Sequence, residues 1–398
     1  MTCHLVRKSG GLIWVNKMRI LYFSRDYTVH DYRFLAGLAE TDLEVFYLRL
    51  ENRGFGLETR DLPEGIENVS WRGGRKPLGI LEGLGLVFDL KAVIRQVNPD
   101  LIHAGPVQRC AFLTALTGYR KLVSMSWGYD LLIDAERNPM WERVTRYTLK
   151  RSAAFVGDCE TIGKLAVKYG MEREKMVIFP WGVDLEVFKP SLKPSPVRKA
   201  LNWGQEQFVL ISTRSWAPIY GVKDLVCAFV SALETAPNLR LLLLGDGPEG
   251  PEIKRLLAEA GVIEKVHLPG QVSRSVLPDY YQAADLYIST SYSDGSSISL
   301  LEALASGLPV LVSNIPGNQE WVKKKTAEKV GWLFQVGKIS DLRVSIVNAV
   351  NSRADMGQMG RAARRLAEKE ANWEDNFPKL FEAYRMATSS RSVTAGSR

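Results

Sequence analysis

The sequence predicts an α/β protein of two domains, each a mostly parallel sheet covered by helices. Three observations carry that expectation. The chain has 398 residues, more than a single core commonly holds. Short apolar runs without polar alternation recur along it, the mark of strands buried on both faces. Between them lie stretches of helical period, such as KDLVCAFVSALETA at 223–236 and GPEIKRLLAEAG at 250–261. A strand–helix–strand succession that occurs twice over means two such domains.

In the first half, strands are expected at 18–24, 43–50, 101–105, 121–127 and 153–158, with a sixth candidate at 176–184. In the second half they are expected at 208–213, 239–245, 265–270, 286–291 and 309–314. The segment VFKPSLKPSPV at 187–197 holds three prolines and reads as a semi-rigid linker. The expected limits are therefore a first domain over 18–187, a linker over 188–200 and a second domain over 201–372. A helix with Pro378 in its first turn is expected within 373–387, packing back on the first domain. Residues 1–17 read as a disordered leader extension, and 388–398 as a disordered tail.

Composition narrows the function classes. A hydrophobic content of 46 % suits ordinary globular cores. The formal charge of +8 is compatible with anionic ligands or an anionic membrane surface. Nucleic acid is not an expected partner, because no dense Lys/Arg tract is interleaved with aromatics. Cys3, Cys110, Cys159 and Cys227 are scattered and form no CxxC, so they read as reduced thiols. The four histidines are scattered too, and no metal site is expected. Apolar runs fall short of the roughly 18 residues of a membrane span. The apolar piece GGLIWV of the leader is too short for a signal-peptide core. These features predict a cytoplasmic protein.

Open parallel sheets bind ligands outside the carboxyl ends of their strands. In the second half those positions are Thr213–Ser215, Gly245–Gly247, Gly270–Val272, Ser293–Gly295 and Ile315–Asn318. Four of the five turns carry glycine, which lets backbone approach a ligand closely. One cation, Arg214, and one acid, Asp294, stand among them. In SDGSSISLLEALASG (293–307) a helix is expected from about Ser296, its N–H groups suited to phosphate or sugar hydroxyls. Glu302 lies two turns on, among apolar neighbours that give a carboxylate no partner, and a ribose diol would supply one.

Bland readings compete with this one. Ser299 and Glu302 also fit the S-x-x-E capping box. GDGPEG at 245–250 matches a dinucleotide-binding loop, but it follows the second strand of its half and lacks the ribose-binding acid some 20 residues on. ETIGKL at 160–165 lacks the upstream glycine of a phosphate loop, and no G-x-S-x-G elbow occurs. Asp158 and Glu160 are an acid pair without a third ligand, more often solvated than metal-binding.

The motif D-G-S-S-I-S-L-L-E followed by A-x-A-S-G-x-P-V resembles the family 4 retaining glycosyltransferases, also described as glycosyl transferases of group 1. WGVDLEVFKP (181–190), LLLLGDGPE (241–249), VHLPGQV (266–272) and AADLYISTSYSDG (283–295) support the resemblance. It spans Met18 to about Tyr384. It implies the GT-B architecture, two Rossmann-like domains with parallel sheets facing across a cleft. It implies transfer of sugar from a nucleotide-diphosphate donor to a glycan or lipid-linked acceptor, with retention and without a cofactor or required metal. Arg214 would neutralise the donor diphosphate, Asp294 meet the transferred sugar and Glu302 bind the ribose. Gly245, Gly295, Ser296, Ser297 and Ile298 would line the donor site, and Val272 would contact the base. The lysine that the family commonly carries a few residues after the arginine is Tyr220 here, with Lys223 the candidate substitute.

The first half would then bind the acceptor. His30, Asp31 and Arg33, in a loop where the family usually has glycines, are expected on the acceptor side. His103 is either a site residue or a hydrogen-bonded core histidine. Asp130 is expected to touch acceptor or donor sugar and is counted with Asp294 and Arg214 as catalytic. Two other functions share the plan, a nucleotide-sugar epimerase and a non-catalytic nucleotide-sugar-binding protein. Docking on the inner face of the cell membrane is expected from net charge alone.

Overall fold

The computed structural model describes residues 5–8, 11–14, 17–52, 58–74, 83–191, 193, 195–323 and 328–389. It divides into two compact units, residues 1–179 with 377–398 (unit 1) and residues 180–376 (unit 2).

Two short strands open the chain, β1 (Leu5–Lys8) and β2 (Gly11–Trp14), paired antiparallel. They lie within the segment read from the sequence as a leader extension. Unit 1 is built on β3 (Arg19–Ser24), β4 (Glu44–Arg49), β5 (Ile66–Asn68), β6 (Leu101–Gly105), β7 (Leu122–Met125), β8 (Ala154–Gly157) and β9 (Met176–Ile178). All seven run parallel, in the order β5-β4-β3-β6-β7-β8-β9. The central strands β6, β7 and β8 are buried at every position, as their unbroken apolar runs require. The edge strand β5 has no such run, its sequence being IEN, and for that reason the apolar pattern does not reveal it.

Unit 2 repeats the plan with β10 (Phe208–Ser212), β11 (Leu239–Leu244), β12 (Val266–Gly270), β13 (Leu286–Ser289), β14 (Val310–Ser313) and β15 (Gly331–Phe334). These too are parallel, in the order β12-β11-β10-β13-β14-β15. Both sheets therefore reverse their winding beside the first strand of the unit, where a crevice opens at the carboxyl ends. Strand β15 was not expected, since a half-buried GWLF is too short to stand out.

The boundary between units lies at Phe179/Pro180, earlier than the proline-rich segment suggests. The reason is packing. Val183 and Phe188 belong to the unit 2 core beside Leu300, Leu304 and Ala363. Val183 N–H donates to Ala371 O at 2.7 Å, and Trp373 N–H donates to Val183 O at 3.0 Å. Helix Pro196–Ala200, inside the expected linker, is fixed to unit 2 by Arg198, which pairs with Asp285 at 2.6 Å. At the other end the chain returns to unit 1 from Phe377, through helix Leu380–Thr388, on which Tyr384 is fully buried. The expected tail beyond Ser389 lies outside the described residues.

Candidate functional site

In unit 2 the ends of β10, β11 and β12 and the helix after β13 enclose a cavity of about 350 Å³. Arg214, Tyr220, Gly245, Val272, Ile298 and Glu302 line it, with Ser299 and Gln271. It sits where the winding reverses, the place a doubly wound sheet reserves for a ligand.

Arg214 is the organising group. Its Nη2 pairs with Asp294 Oδ2 at 2.7 Å. Its Nη1 donates to Ser297 Oγ at 2.6 Å and to Ser299 Oγ at 3.1 Å. Its guanidinium carbon lies 4.1 Å from the centre of the Tyr220 ring, a cation–π contact. Burial by itself would weaken its hold on the proton, but the Asp294 charge beside it raises the pKa above the ordinary value. Burial raises the Asp294 pKa, and Arg214 offsets part of that rise. Tyr220 thus offers Arg214 a π face.

Glu302 stands one turn into helix Ile298–Ala305. Its Oε2 accepts from Tyr281 Oη at 2.9 Å. Tyr281 Oη is also within 3.0 Å of Thr213 Oγ1 and donates to Ser299 O at 3.2 Å. Tyr287 Oη reaches Ser299 Oγ at 2.8 Å. The capping-box reading fails on this geometry. Ser297, not Ser299, is the N-cap, and no side chain caps the helix. The Ser297 and Ser299 hydroxyls are engaged by Arg214, so the first turn keeps the N–H groups and dipole that favour an anion.

Helix Pro316–Val322 clamps the 294–297 turn from behind. Trp321 Nε1 donates to Ser296 Oγ at 3.0 Å. A Cβ on Gly317 would come within 2.7 Å of Asp294 O, so only glycine allows this approach. Gly245 has φ +99°, and a Cβ there would sit 2.7 Å from Arg214 O. The other glycines of GDGPEG face Trp216. A Cβ on Gly247 would meet Trp216 backbone at 2.6 Å, and one on Gly250 would touch the Trp216 ring at 3.4 Å. The motif thus packs the β11 turn onto its neighbour.

The predicted donor residues Arg214, Gly245, Val272, Ile298 and Glu302 come together around the cavity. Asp294 and Ser297 join through Arg214, and Ser296 through the clamp. Gly295 lies in that same turn, against Gly317. Lys223 does not join them. It pairs with Glu249 at 3.4 Å on the exposed side of helix Val222–Leu233. Tyr281 and Tyr287 went unread in the sequence, and Ser299 stood out there only as a capping residue. Their spacing is that of core residues, and only the fold aims their hydroxyls inward.

In unit 1 three of the expected site residues serve the fold. The Asp130 carboxylate is fully buried and accepts from Ser126 Oγ at 2.5 Å, Leu131 N–H at 3.1 Å and Val107 N–H at 3.0 Å. Burial pushes its pKa up to about 6, its hydrogen bonds opposing the shift. It joins the turns after β6 and β7 and presents no exposed face, where a residue touching acceptor or donor sugar was expected. Asp31 closes a capping box with Thr28 at the start of helix Val29–Ala39 and accepts from Tyr22 Oη at 3.2 Å. It too is a buried structural acid, with its pKa pushed by burial up to about 6. His103 is buried on β6, with Nδ1 2.8 Å from Tyr384 Oη and its ring edge-on to Tyr22. Burial drives its pKa down to about 3, so it is a neutral core histidine. His30 is exposed, its ring 5.7 Å from that of Trp127, and Arg33 is half-buried on the same helix. Among the described residues no group of three or more His, Cys, Asp or Glu side chains is placed to hold a metal.

Comparison with known proteins agrees with this architecture. A family model described as "Glycosyl transferases group 1" matches residues 195–366, and one described as "Glycosyl transferase 4-like" matches 19–159. The chain is 25 % identical over 293 residues to the sulfoquinovosyl transferase SQD2 of Arabidopsis thaliana, covering 69 % of this chain and 54 % of that protein. It is 30 % identical over 142 residues to an alpha-monoglucosyldiacylglycerol synthase of Acholeplasma laidlawii, covering 35 % and 36 %. The matches thus take in about half or less of these relatives' own lengths. Among solved structures, Anabaena Alr3699/HepE in complex with UDP-glucose shares the fold at TM-score 0.75 and 19 % identity, over 92 % of this chain and 98 % of that one.

Proposed function

The chain belongs to the glycosyltransferases of group 1, and we propose that it moves a sugar from a nucleotide-diphosphate donor to an acceptor hydroxyl with retention at the anomeric carbon. The observation that carries this reading is Arg214, gripped by Asp294, Ser297 and Ser299 at a cavity whose wall also holds Glu302. Glu302 takes the ribose hydroxyls, the base lies against Val272, and the diphosphate lies between Arg214 and the start of helix Ile298–Ala305. Asp294 faces the sugar. The UDP-glucose bound to the Anabaena neighbour favours a nucleotide sugar as donor, and the name of the diacylglycerol glucoside synthase favours a lipid acceptor, which would be met at a membrane surface.

The chemistry follows from charge. As the anomeric C–O bond breaks, negative charge grows on the departing diphosphate. A fixed guanidinium and helix N–H groups aimed at that charge lower the barrier. The acceptor oxygen bonds to the anomeric carbon on the face the diphosphate leaves, and its proton passes to the leaving phosphate oxygen. The step needs no enzyme nucleophile and no metal. No helix among the described residues is long and apolar enough to cross a membrane.

Incubation with a radiolabelled nucleotide sugar tests the reading. Transfer to an acceptor, or slow release of free sugar, is the expected result. An epimerised sugar would instead indicate an epimerase, and a donor recovered intact under all conditions a binding protein.

A further inference from the structure

Unit 1 carries the whole net charge of the chain, with 30 basic residues against 22 acidic, while unit 2 has 22 of each. Part of that excess stands among exposed apolar side chains at the carboxyl edge of the unit 1 sheet. Arg109 follows β6, and Arg137 lies in the segment after β7. Their guanidinium carbons are 5.3 and 5.6 Å from the centre of the Trp141 ring. The acid whose charge they share is Asp134, which also feels Arg25, and Arg25 is already paired with Glu51 at 3.0 Å. Around them Ile133 is 38 % exposed and Met140 61 % exposed.

A soluble sugar explains the arginines but not Ile133 and Met140. An anionic bilayer explains both. Arginine matches phosphate geometry, tryptophan settles at headgroup level, and aliphatic side chains enter the acyl boundary. We propose that this edge of unit 1 binds an anionic phospholipid at a bilayer surface, with Arg109 and Arg137 on the phosphate, Trp141 between them, and Ile133 and Met140 in the apolar layer. The assignment deepens the lipid-linked acceptor reading above, on which it rests for its purpose.

The test is flotation of the full chain with vesicles of phosphatidylcholine, alone or mixed with phosphatidylglycerol. Binding is expected only to the mixed vesicles. Arg137→Ala should lower the partition coefficient about fivefold. Met140→Ser should lower it about tenfold, the loss of one buried apolar side chain. Lys150→Ala, an exposed charge at the far end of helix Pro139–Arg151, should change it less than twofold, about half the logarithmic effect of Arg137→Ala. Equal binding to both vesicles, or equal losses for Arg137→Ala and Lys150→Ala, would overturn the assignment. So would a thermal shift with inorganic phosphate that Arg137→Ala removes while no vesicle is bound, since that marks a soluble anionic ligand. A thermal shift with UDP, measured on every variant, reports folding and tests the donor reading separately. Flotation without that shift keeps the lipid site and removes the donor reading.

Discussion

Glu302→Gln is the sharpest probe of the donor site. The amide oxygen of glutamine can still accept from Tyr281 Oη, so the free protein should keep nearly all its stability. The charge is lost, and with it the preference for two ribose donors. Hydrogen bonds to a charged group contribute roughly 1.5–3 kcal/mol each. Taking the lower figure for two hydroxyls gives about 3 kcal/mol, a weakening of about 150-fold. UDP at about 100 times the wild-type Kd stabilises the native protein by about 2.7 kcal/mol. At that concentration the variant would retain only about 0.3 kcal/mol. For a domain the size of unit 2, that is a rise in Tm of roughly 5–11 °C for the wild type against about 1 °C for the variant. Differential scanning fluorimetry, with calorimetric titration as a second readout, measures both. A variant whose UDP shift equals that of the wild type would refute the ribose assignment.

Asp294→Ala should bind UDP within about fivefold of the wild type, because its carboxylate pairs with Arg214 and faces the sugar, a difference near 1 kcal/mol. Sugar transfer should fall below detection in a labelled-donor assay, and full activity would contradict the role. Gly245→Ala forces a Cβ into a left-handed backbone at φ +99° and against Arg214 O, so unit 2 should lose about 1–3 kcal/mol in urea denaturation and UDP affinity should fall with it. His103 makes unit 1 sensitive to acid. Its folded pKa of about 3 lies below the ordinary 6.5, so its contribution is present above pH 6.5 and is lost as pH falls toward 3. The slope approaches about 1.4 kcal/mol per pH unit. Asp31 and Asp130 act in the opposite sense. Their folded pKa values of about 6 lie above the ordinary 3.8, so the stability they add is present below pH 3.8 and is lost as pH rises through 6. The stability difference between wild type and His103→Gln, followed by denaturation from pH 7 to pH 4, isolates the histidine and should shrink steadily with acid.

The sequence alone determined most of the strands and the turn residues that gather at the unit 2 cavity, because both are local. An apolar run such as LRLLLL at 239–244 must be buried on both faces wherever it falls. The turns after such strands then share one edge of the sheet, which is why the sequence alone groups Arg214, Gly245, Val272 and Glu302. Strands β5 and β15 stayed illegible because three and four residues carry too little pattern. Tertiary structure alone decided the roles of acids and hydroxyls. Asp130, Asp31 and Asp294 all follow strands within a few residues, and the sequence could not say that the first two turn inward to backbone N–H groups and hydroxyls while the third meets a guanidinium. Nor could it show that Tyr220 lies on Arg214 while Lys223 turns to Glu249. The physical reason is that a carboxylate or an ammonium takes whichever partner the packed chain brings within hydrogen-bond reach, and Val107 for Asp130, Glu249 for Lys223 and Arg214 for Asp294 come from 23, 26 and 80 residues away.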